Sequence, residues 1–446
     1  MLRNLRPLLW SSLLLCVLLL SSCGIQRIGT IPRGTPDTGD GTPAVLPSPT
    51  LAVPAASASV LGSTYAFVRT NQLWVVLNGA APRQLTNFNY SNQPQVFWHQ
   101  PLWSPGDHFL AFISNAVPMG IGGGGCPAPD YSANGVLYVV NMQSGQATQI
   151  TLPAVKKSIQ LSGAPQTDYW QYAFWEDATH LLAWYNGVPG KVSSAAGLYR
   201  FDVVTQTLTQ ILPLSSLDVA TLFEPQPNMP LLLSLRYSNE QLFYQVVVHP
   251  FGQQSQLLIY RRSLQQSQAV NSKVLQIGSE AWCASAQGAG FVRPGWDVSP
   301  NGEQIVSQTI VTASSNGSAV GAIQVLNMQD GVTTPLFSQA PTSFLSRNLQ
   351  LTWGPDSQTV IASIPHTTGQ VEGQGLYSAT LADPQTMQQY MPTVIGQVCW
   401  RADGKAFALQ DGDALDTGTP SSIYVFVAGE TQGRVLLKNA REFAWG

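Results

Sequence analysis

One motif recurs along most of this chain and constrains its fold more than any other feature. A Trp is followed by a tight turn, and the turn by a short apolar strand. Trp103-Ser104-Pro105-Gly106-Asp107 leads into Phe109-Leu110-Ala111-Phe112, Trp353-Gly354-Pro355-Asp356-Ser357 into Val360-Ile361-Ala362, and Trp400-Arg401-Ala402-Asp403-Gly404 into Phe407-Ala408-Leu409. Trp175-Glu176-Asp177 and Val298-Ser299-Pro300-Asn301-Gly302 open two further units. Pro, Gly, Asn and Asp supply the backbone angles of a hairpin turn, so each unit begins as two antiparallel strands. A third strand follows, such as Leu73-Trp74-Val75-Val76, Leu137-Tyr138-Val139-Val140, Leu198-Tyr199 or Ile423-Tyr424-Val425-Phe426. A fourth comes after another turn, as in Gln84-Leu85-Thr86, Gln149-Ile150-Thr151 and Gln210-Ile211-Leu212.

Four short antiparallel strands per unit make one blade of a β-propeller, an all-β fold. Trp353 to Trp400 is 47 residues and Trp400 to Trp445 is 45, close to the period of about 40–45 for such blades. Trp175 to Val298 is 123 residues, room for two units, with Phe223-Glu224-Pro225 as the expected start of the hidden one. Openings at 103, 175, 223, 298, 353, 400 and 445 count seven blades, or six if the fourth unit falls short of a full blade. Phe443-Ala444-Trp445 is an opening strand without its continuation, and Tyr65-Ala66-Phe67-Val68 is a second strand without its opening. Together they complete one blade and leave no exposed sheet edge at the closure.

The strings Trp103-Ser104-Pro105 and Leu73-Trp74-Val75-Val76 with Arg83-Gln84-Leu85-Thr86 resemble the repeats of TolB-type and related WD-like bacterial propellers, over about residues 64–446. That resemblance implies a rigid disc that binds partners through one face or its channel. It does not name a function.

The first 60 residues read differently. Met1, Arg3 and Arg6 precede an apolar run from Leu8 to Leu20. That run is shorter than the roughly 20 residues a membrane helix needs, and a basic start with a short apolar core is the pattern of a secretory signal. Leu20-Ser21-Ser22-Cys23 resembles the lipobox of bacterial lipoproteins, which implies cleavage after residue 22 and diacylation of Cys23. Residues 23–60 alternate Pro with Thr, Ser, Gly and Ala, a tether that cannot bury a core. The expected organisation is therefore signal peptide 1–22, lipidated tether 23–60 and propeller 61–446, on the extracytoplasmic face of a cell membrane. Lipid holds such a chain through about 0.8 kcal/mol per buried methylene.

Composition narrows the partners. Charged residues are 10% of the chain and the net charge is −3, with no basic patch after the signal, so no nucleic-acid partner is expected. Outside the signal and lipobox remain Cys126, Cys283 and Cys399. Cys126 and Cys283 lie in Gly-rich loop sequence, where a disulfide between them is open in an oxidising compartment. Cys399 reads as a small buried hydrophobe.

Catalytic and cofactor signals are sparse. Gly120–Cys126 lacks the Lys-Ser/Thr of a phosphate loop, and there is no Gly-x-Ser-x-Gly elbow. His99, His108, His180, His249 and His366 have no partner at metal-ligand spacing. Asp411, Asp413 and Asp416 resemble a calcium loop faintly, without its terminal Glu; no cofactor is expected. Glu176, Asp177, Glu224 and Asp297 sit at strand openings near the channel, where solvation of turns and strand ends accounts for them. The long connections lie between second and third strands (114–134, 186–196, 312–319, 365–374, 411–421) and between fourth and first (153–170, 279–295), which leave a blade on the same face. Loops on a rigid scaffold commonly carry function. Trp170, Trp282 and Trp296, in or beside those loops, are the expected contact surface.

The reading favoured at this level is a non-catalytic binding or assembly scaffold, anchored by lipid and engaging another envelope protein or peptide. A propeller enzyme of lyase, cyclase or glycosidase type, with its site at the channel mouth, competes with it. So does a sugar- or peptide-binding receptor.

Overall fold

The computed structural model describes residues 64–70, 72–87, 98–114, 117–118, 132–133, 135–152, 169–187, 194–221, 226, 228–248, 254–265, 270–281, 295–313, 319–338, 350–363, 375–390, 398–410 and 421–446. Seven four-stranded antiparallel sheets succeed one another along the chain, and the protein is a seven-bladed β-propeller. Blade 1 joins the two ends of the ring: Arg441–Trp445 is its inner strand, followed outward by Tyr65–Arg69, Gln72–Val76 and Arg83–Gln84. Blade 2 consists of Trp98–Trp103, Phe109–Ser114, Val136–Asn141 and Ala147–Ile150, with a small ribbon, Val117–Pro118 and Ser132–Ala133, in the connection between its second and third strands. Blade 3 is Trp170–Trp175, His180–Tyr185, Gly197–Asp202 and Thr207–Pro213; blade 4 is Leu231–Ser238, Gln241–Val248, Gln254–Ser263 and Ser272–Ala281. Blade 5 is Trp296–Val298, Gln304–Ala313, Ala319–Asn327 and Thr333–Leu336; blade 6 is Gln350–Trp353, Thr359–Ser363, Leu376–Thr380 and Gln388–Gln389. Blade 7 is Val398–Trp400, Ala406–Gln410, Ser422–Val427 and Arg434–Lys438. Among the described residues no helix is long and apolar enough to cross a membrane.

The core follows from strand periodicity. Side chains alternate between the two faces of a strand, and in this ring each face meets a neighbouring blade. Leu110 and Phe112 therefore pack toward blade 1, beside Ala66 and Val68, while Ala111 and Ile113 pack toward blade 3, beside Trp170 and Leu181. Both faces are dry, so the second strands read as unbroken apolar runs instead of alternating ones. One apolar cluster occupies each of the seven seams. The seventh joins Ala406, Ala408 and Val425 of blade 7 to Phe67, Phe443 and Trp445 of blade 1.

The recurring Trp ends the inner strand, and the geometry explains the choice of residue. The indole of Trp175 donates to the Leu102 carbonyl of blade 2 (2.9 Å), that of Trp353 to the Asp297 carbonyl of blade 5 (3.3 Å), and that of Trp445 to the Cys399 carbonyl of blade 7 (3.2 Å). Each acceptor is the next-to-last residue of the preceding inner strand, so these three Trp each tie one blade to the one before. The turn that follows is closed by its own side chain. Ser104 Oγ accepts from the Phe109 amide (3.0 Å), Ser299 Oγ from Gln304 (2.9 Å), and Asp356 Oδ1 from Gln358 and Thr359 (both 2.9 Å). Gly302 has φ +72°, and a Cβ there would stand 2.8 Å from Cβ of Asn239 in blade 4, so this turn needs glycine both for its backbone angle and for the close approach.

The fourth blade corrects the sequence reading. Its inner strand is Leu231–Ser238, not a segment opening at Phe223; Phe223, Glu224 and Pro225 lie outside the described residues. The blade was hidden because its first hairpin turns on two residues, Asn239 (φ +46°) and Glu240 (φ +60°), with Ser238 opposite Gln241. Positive φ at both central residues is a type I′ turn, which needs neither the Trp nor the Ser-Pro that mark the other units.

Candidate functional site

The inner strands all run the same way, and the two ends of the axis differ in chemistry. At the Trp end, charged groups are matched. Arg200 donates to both carboxylate oxygens of Glu176 (2.6 Å each). Arg236 of blade 4 reaches Asp297 of blade 5 (3.4 Å) and lies over the Trp296 ring, 5.3 Å from its centre. Asp297 Oδ2 also accepts the Trp353 amide of blade 6 (3.0 Å). Burial raises the pKa of Asp297, opposed chiefly by Arg236. Asp177 accepts the Thr179 and His180 amides (2.7 and 2.8 Å) and pairs with His180 Nδ1 (2.7 Å); against some desolvation, these bonds hold its pKa down at about 2. These carboxylates belong to seams and turns. Among the described residues no group of three or more His, Cys, Asp and Glu is placed to hold a metal ion.

At the opposite end, from which the second-to-third and fourth-to-first connections leave, a belt of uncharged polar side chains interrupts the apolar strands. Ser114, Ser363 and Gln410 each end a second strand, and Asn186 follows one. Gln171 sits on the bulge between Trp170 and Tyr172 and bonds Asn186, which also accepts the Trp184 indole (2.9 Å). Ser234 and Gln245 face each other across the first two strands of blade 4 (3.1 Å), and the Trp296 indole of blade 5 donates to Ser234 (3.0 Å). Ser307 lies opposite Trp296, and Gln308 follows it. In blade 1 the corresponding residue is a carboxyl, Glu442, whose amide donates to Gln410 Oε1 of blade 7 (2.8 Å). None of these side chains belongs to a residue more than 5% exposed.

Polar groups this deeply buried are normally fully hydrogen-bonded. Yet Ser114 Oγ, Gln245 Nε2, Ser307 Oγ, Gln410 Nε2 and Glu442 Oε2 have no hydrogen-bond partner among the described residues. Glu442 combines three further features. Its φ is +50°, a left-handed backbone at a non-glycine residue; it lies in the bulge where the closing strand meets Tyr65–Arg69; and desolvation raises its pKa to about 7, against the pull of Arg441. Bulges, backbone strain and displaced pKa values concentrate at functional sites.

The carboxyl has a measurable signature. Between about pH 4.5 and 7 the folded chain keeps a proton that the unfolded chain has released. Its contribution to stability is present below the unfolded value and is lost as pH rises through about 7, worth on the order of 3 kcal/mol. Urea unfolding at pH 5 and pH 8 is expected to show that decline in the wild type and a flatter profile in Glu442→Gln. Parallel profiles would mean that the carboxyl is not desolvated.

The expected contact surface needs correction. Trp170 and Trp296 are 0% and 4% exposed. Trp170 donates to the Ile150 carbonyl (2.9 Å) and packs edge-on against Tyr185 and Tyr199; Trp296 fills the seam between blades 4 and 5. Each begins an inner strand, where a large ring fills the seam, so neither offers a surface to a partner. Trp282, Cys23, Cys126, Cys283, Asp411, Asp413 and Asp416 lie outside the described residues. Cys399 is a free thiol packed on the closing seam, and burial pushes its pKa up to about 11. The polar belt and Glu442 were missed by sequence reasoning. Their signal was a polar residue ending or directly following four of the apolar second strands (Ser114, Asn186, Ser363 and Gln410), and an acid inside the apolar strand 441–445.

No protein-family model matches the chain, and no curated protein matches it. Solved structures similar to it include an oligogalacturonate lyase from Vibrio parahaemolyticus, at 12% identity over 84% of each chain with a TM-score of 0.46. Prolyl oligopeptidase B from Galerina marginata is 11% identical, with 85% of this chain and 50% of that one covered and a TM-score of 0.47; this chain thus spans half the length of that peptidase. The β-propeller domain of the Trilobed protease from Pyrococcus furiosus is 10% identical over 75% of this chain and 82% of that one, with a TM-score of 0.41. Likeness at these levels carries no information about chemistry.

Proposed function

We propose that this chain is a lipid-anchored, extracytoplasmic binding module that presents the end of its axis from which the long connections leave to a polypeptide partner in the cell envelope. The observation that carries this reading is positional: the second-to-third and fourth-to-first connections leave the ring at this one end, and loops on a rigid scaffold commonly carry function. The Leu20–Cys23 lipobox and the tether after it supply the anchor.

A photo-crosslinking residue at Ser194, exposed just before the third strand of blade 3, and another at Asp177, exposed at the opposite end, test the reading in cells. Cross-links to one envelope protein from position 194 and none from 177 are expected. Cys23→Ala is expected to release the chain from the membrane fraction and to abolish the cross-link. Equal labelling from both positions, or a chain indifferent to Cys23→Ala, would contradict the proposal.

A further inference from the structure

We infer that Glu442 is a proton-operated latch on the strand that closes the ring: with its carboxyl protonated the strand stays seated, and ionisation releases it. The device is independent of any partner. In the other six blades a hairpin ties the inner strand to the second. In blade 1 the inner strand, Arg441–Trp445, meets Tyr65–Arg69 from the other end of the ring, so hydrogen bonds and packing alone hold the two together. Their pairing is irregular at one place. Tyr65 lies opposite Trp445, Ala66 opposite Ala444 and Val68 opposite Arg441, and the bulge between the last two pairs holds Glu442. Glu442 has φ +50° there, and its amide donates to Gln410 Oε1 of blade 7 (2.8 Å). The side chain is buried with it, and Oε2 has no hydrogen-bond partner among the described residues. The one strand of the ring that no hairpin retains therefore carries a buried, incompletely bonded carboxyl.

Such a place tolerates a neutral carboxyl far better than a carboxylate, because an ion loses more hydration on burial than an acid does. Lifting the strand returns the carboxylate to water. Desolvation accordingly raises the pKa of Glu442 in the closed ring to about 7, against the pull of Arg441, while the open ring restores the ordinary glutamate range. Closure is therefore tightest below that ordinary range and weakens as pH rises through about 7. The closing strand packs against the second strand of blade 1, with Tyr65 and Arg69, and the inner strand of blade 2, with His99. It also packs against the inner, second and third strands of blade 7, whose titratable residues are Cys399 and Tyr424. Arg69 donates to the carbonyl of Lys438, on the outer strand of blade 7 (3.3 Å), and lies over the Phe67 ring. Burial raises the pKa of Tyr65 and pushes that of Cys399 up to about 11, and arginine and lysine ordinarily keep their charge across neutrality. Histidine is the other residue type here that ordinarily titrates in this range, and a contribution from His99 would persist in Glu442→Gln.

Hydrogen exchange of the full-length chain in detergent, read by mass spectrometry at pH 5 and pH 8.5, tests the latch. With the carboxyl titrating at about 7 in the closed ring and about 4.5 in the open one, the open fraction is expected to rise on the order of 50-fold between these conditions. The readout is a matching loss of amide protection, corrected for the intrinsic exchange rate, in residues 441–445 and 65–69. At both pH values these amides are expected to be less protected than those of the hairpin-held inner strand Trp170–Trp175. Their exchange is also expected to respond little to added urea, because release of one strand exposes little surface. Glu442→Gln keeps the shape of the side chain and cannot ionise, and it is expected to abolish the rise. Protection in the closing strand that ignores pH, or a loss that persists in Glu442→Gln, would overturn the latch. So would exchange that steepens with urea as global unfolding does, since the carboxyl would then act on overall stability alone. That last comparison needs only the wild type, so it decides the matter even where Glu442→Gln does not fold.

Discussion

Ala444→Pro is expected to open the ring. Ala444 lies opposite Ala66 on the strand that closes blade 1, and the Gly446 amide donates to the Thr64 carbonyl two positions along (3.0 Å). Hydrogen-bonded pairs alternate in an antiparallel ladder, so the Ala444 amide is a rung of the closure, and Pro removes it while its ring crowds the neighbouring strand. Losing one rung and leaving a buried carbonyl unpaired costs about 2–4 kcal/mol. The consequence extends beyond that bond. Phe443 and Trp445, on the same strand, pack edge-on against each other, lie against Tyr65 and fill the seam to blade 7. A ring closed by one strand loses that whole seam when the strand detaches, and the freed edges then pair between molecules. The measurement is urea unfolding together with light scattering. A lower midpoint with soluble oligomers or aggregates is expected. An unchanged midpoint and a clean monomer would mean that the closing strand contributes little.

Trp170→Ala is the second large effect, and it separates the core from a contact surface. The side chain is fully buried, gives a hydrogen bond to Ile150 and lies edge-on to two tyrosines, 5.2 and 5.7 Å between ring centres. Removing a large aromatic ring from a packed seam costs about 3–5 kcal/mol. The expected result is a shift of the denaturation midpoint that is present without any partner. A variant of unchanged stability that loses only binding would restore the role the sequence suggested for Trp170.

Trp170 also shows why sequence reading stopped where it did. Its place beside a long connection was legible, but whether the ring turned outward or into the seam was not. That depends on which face of the strand meets the next blade, and the register across the bulge at Gln171 sets it. The same limit hid Glu442. An acid next to Arg441 reads as strand-end solvation until the bulge in the closing strand turns it inward. The carboxylates that sequence did place near the channel, Glu176 and Asp297, are matched by arginines from elsewhere in the chain, Arg200 and Arg236. Nothing local announces such a match.

By itself the sequence determined the blade. The Trp, the turn residues and the apolar runs act within some fifty residues and impose hairpins whatever lies around them. It also determined the closure, because the opening strand missing from the unit at Tyr65 stands at Arg441–Trp445. Tertiary structure alone decided what seven such blades do to one another. It decided which indole ties which carbonyl, where the fourth blade begins, and that the polar residues ending separate strands form one buried belt at one end of the axis. The physical reason is that burial and hydrogen-bond satisfaction belong to the seams between blades, and a seam brings together residues that the chain keeps far apart.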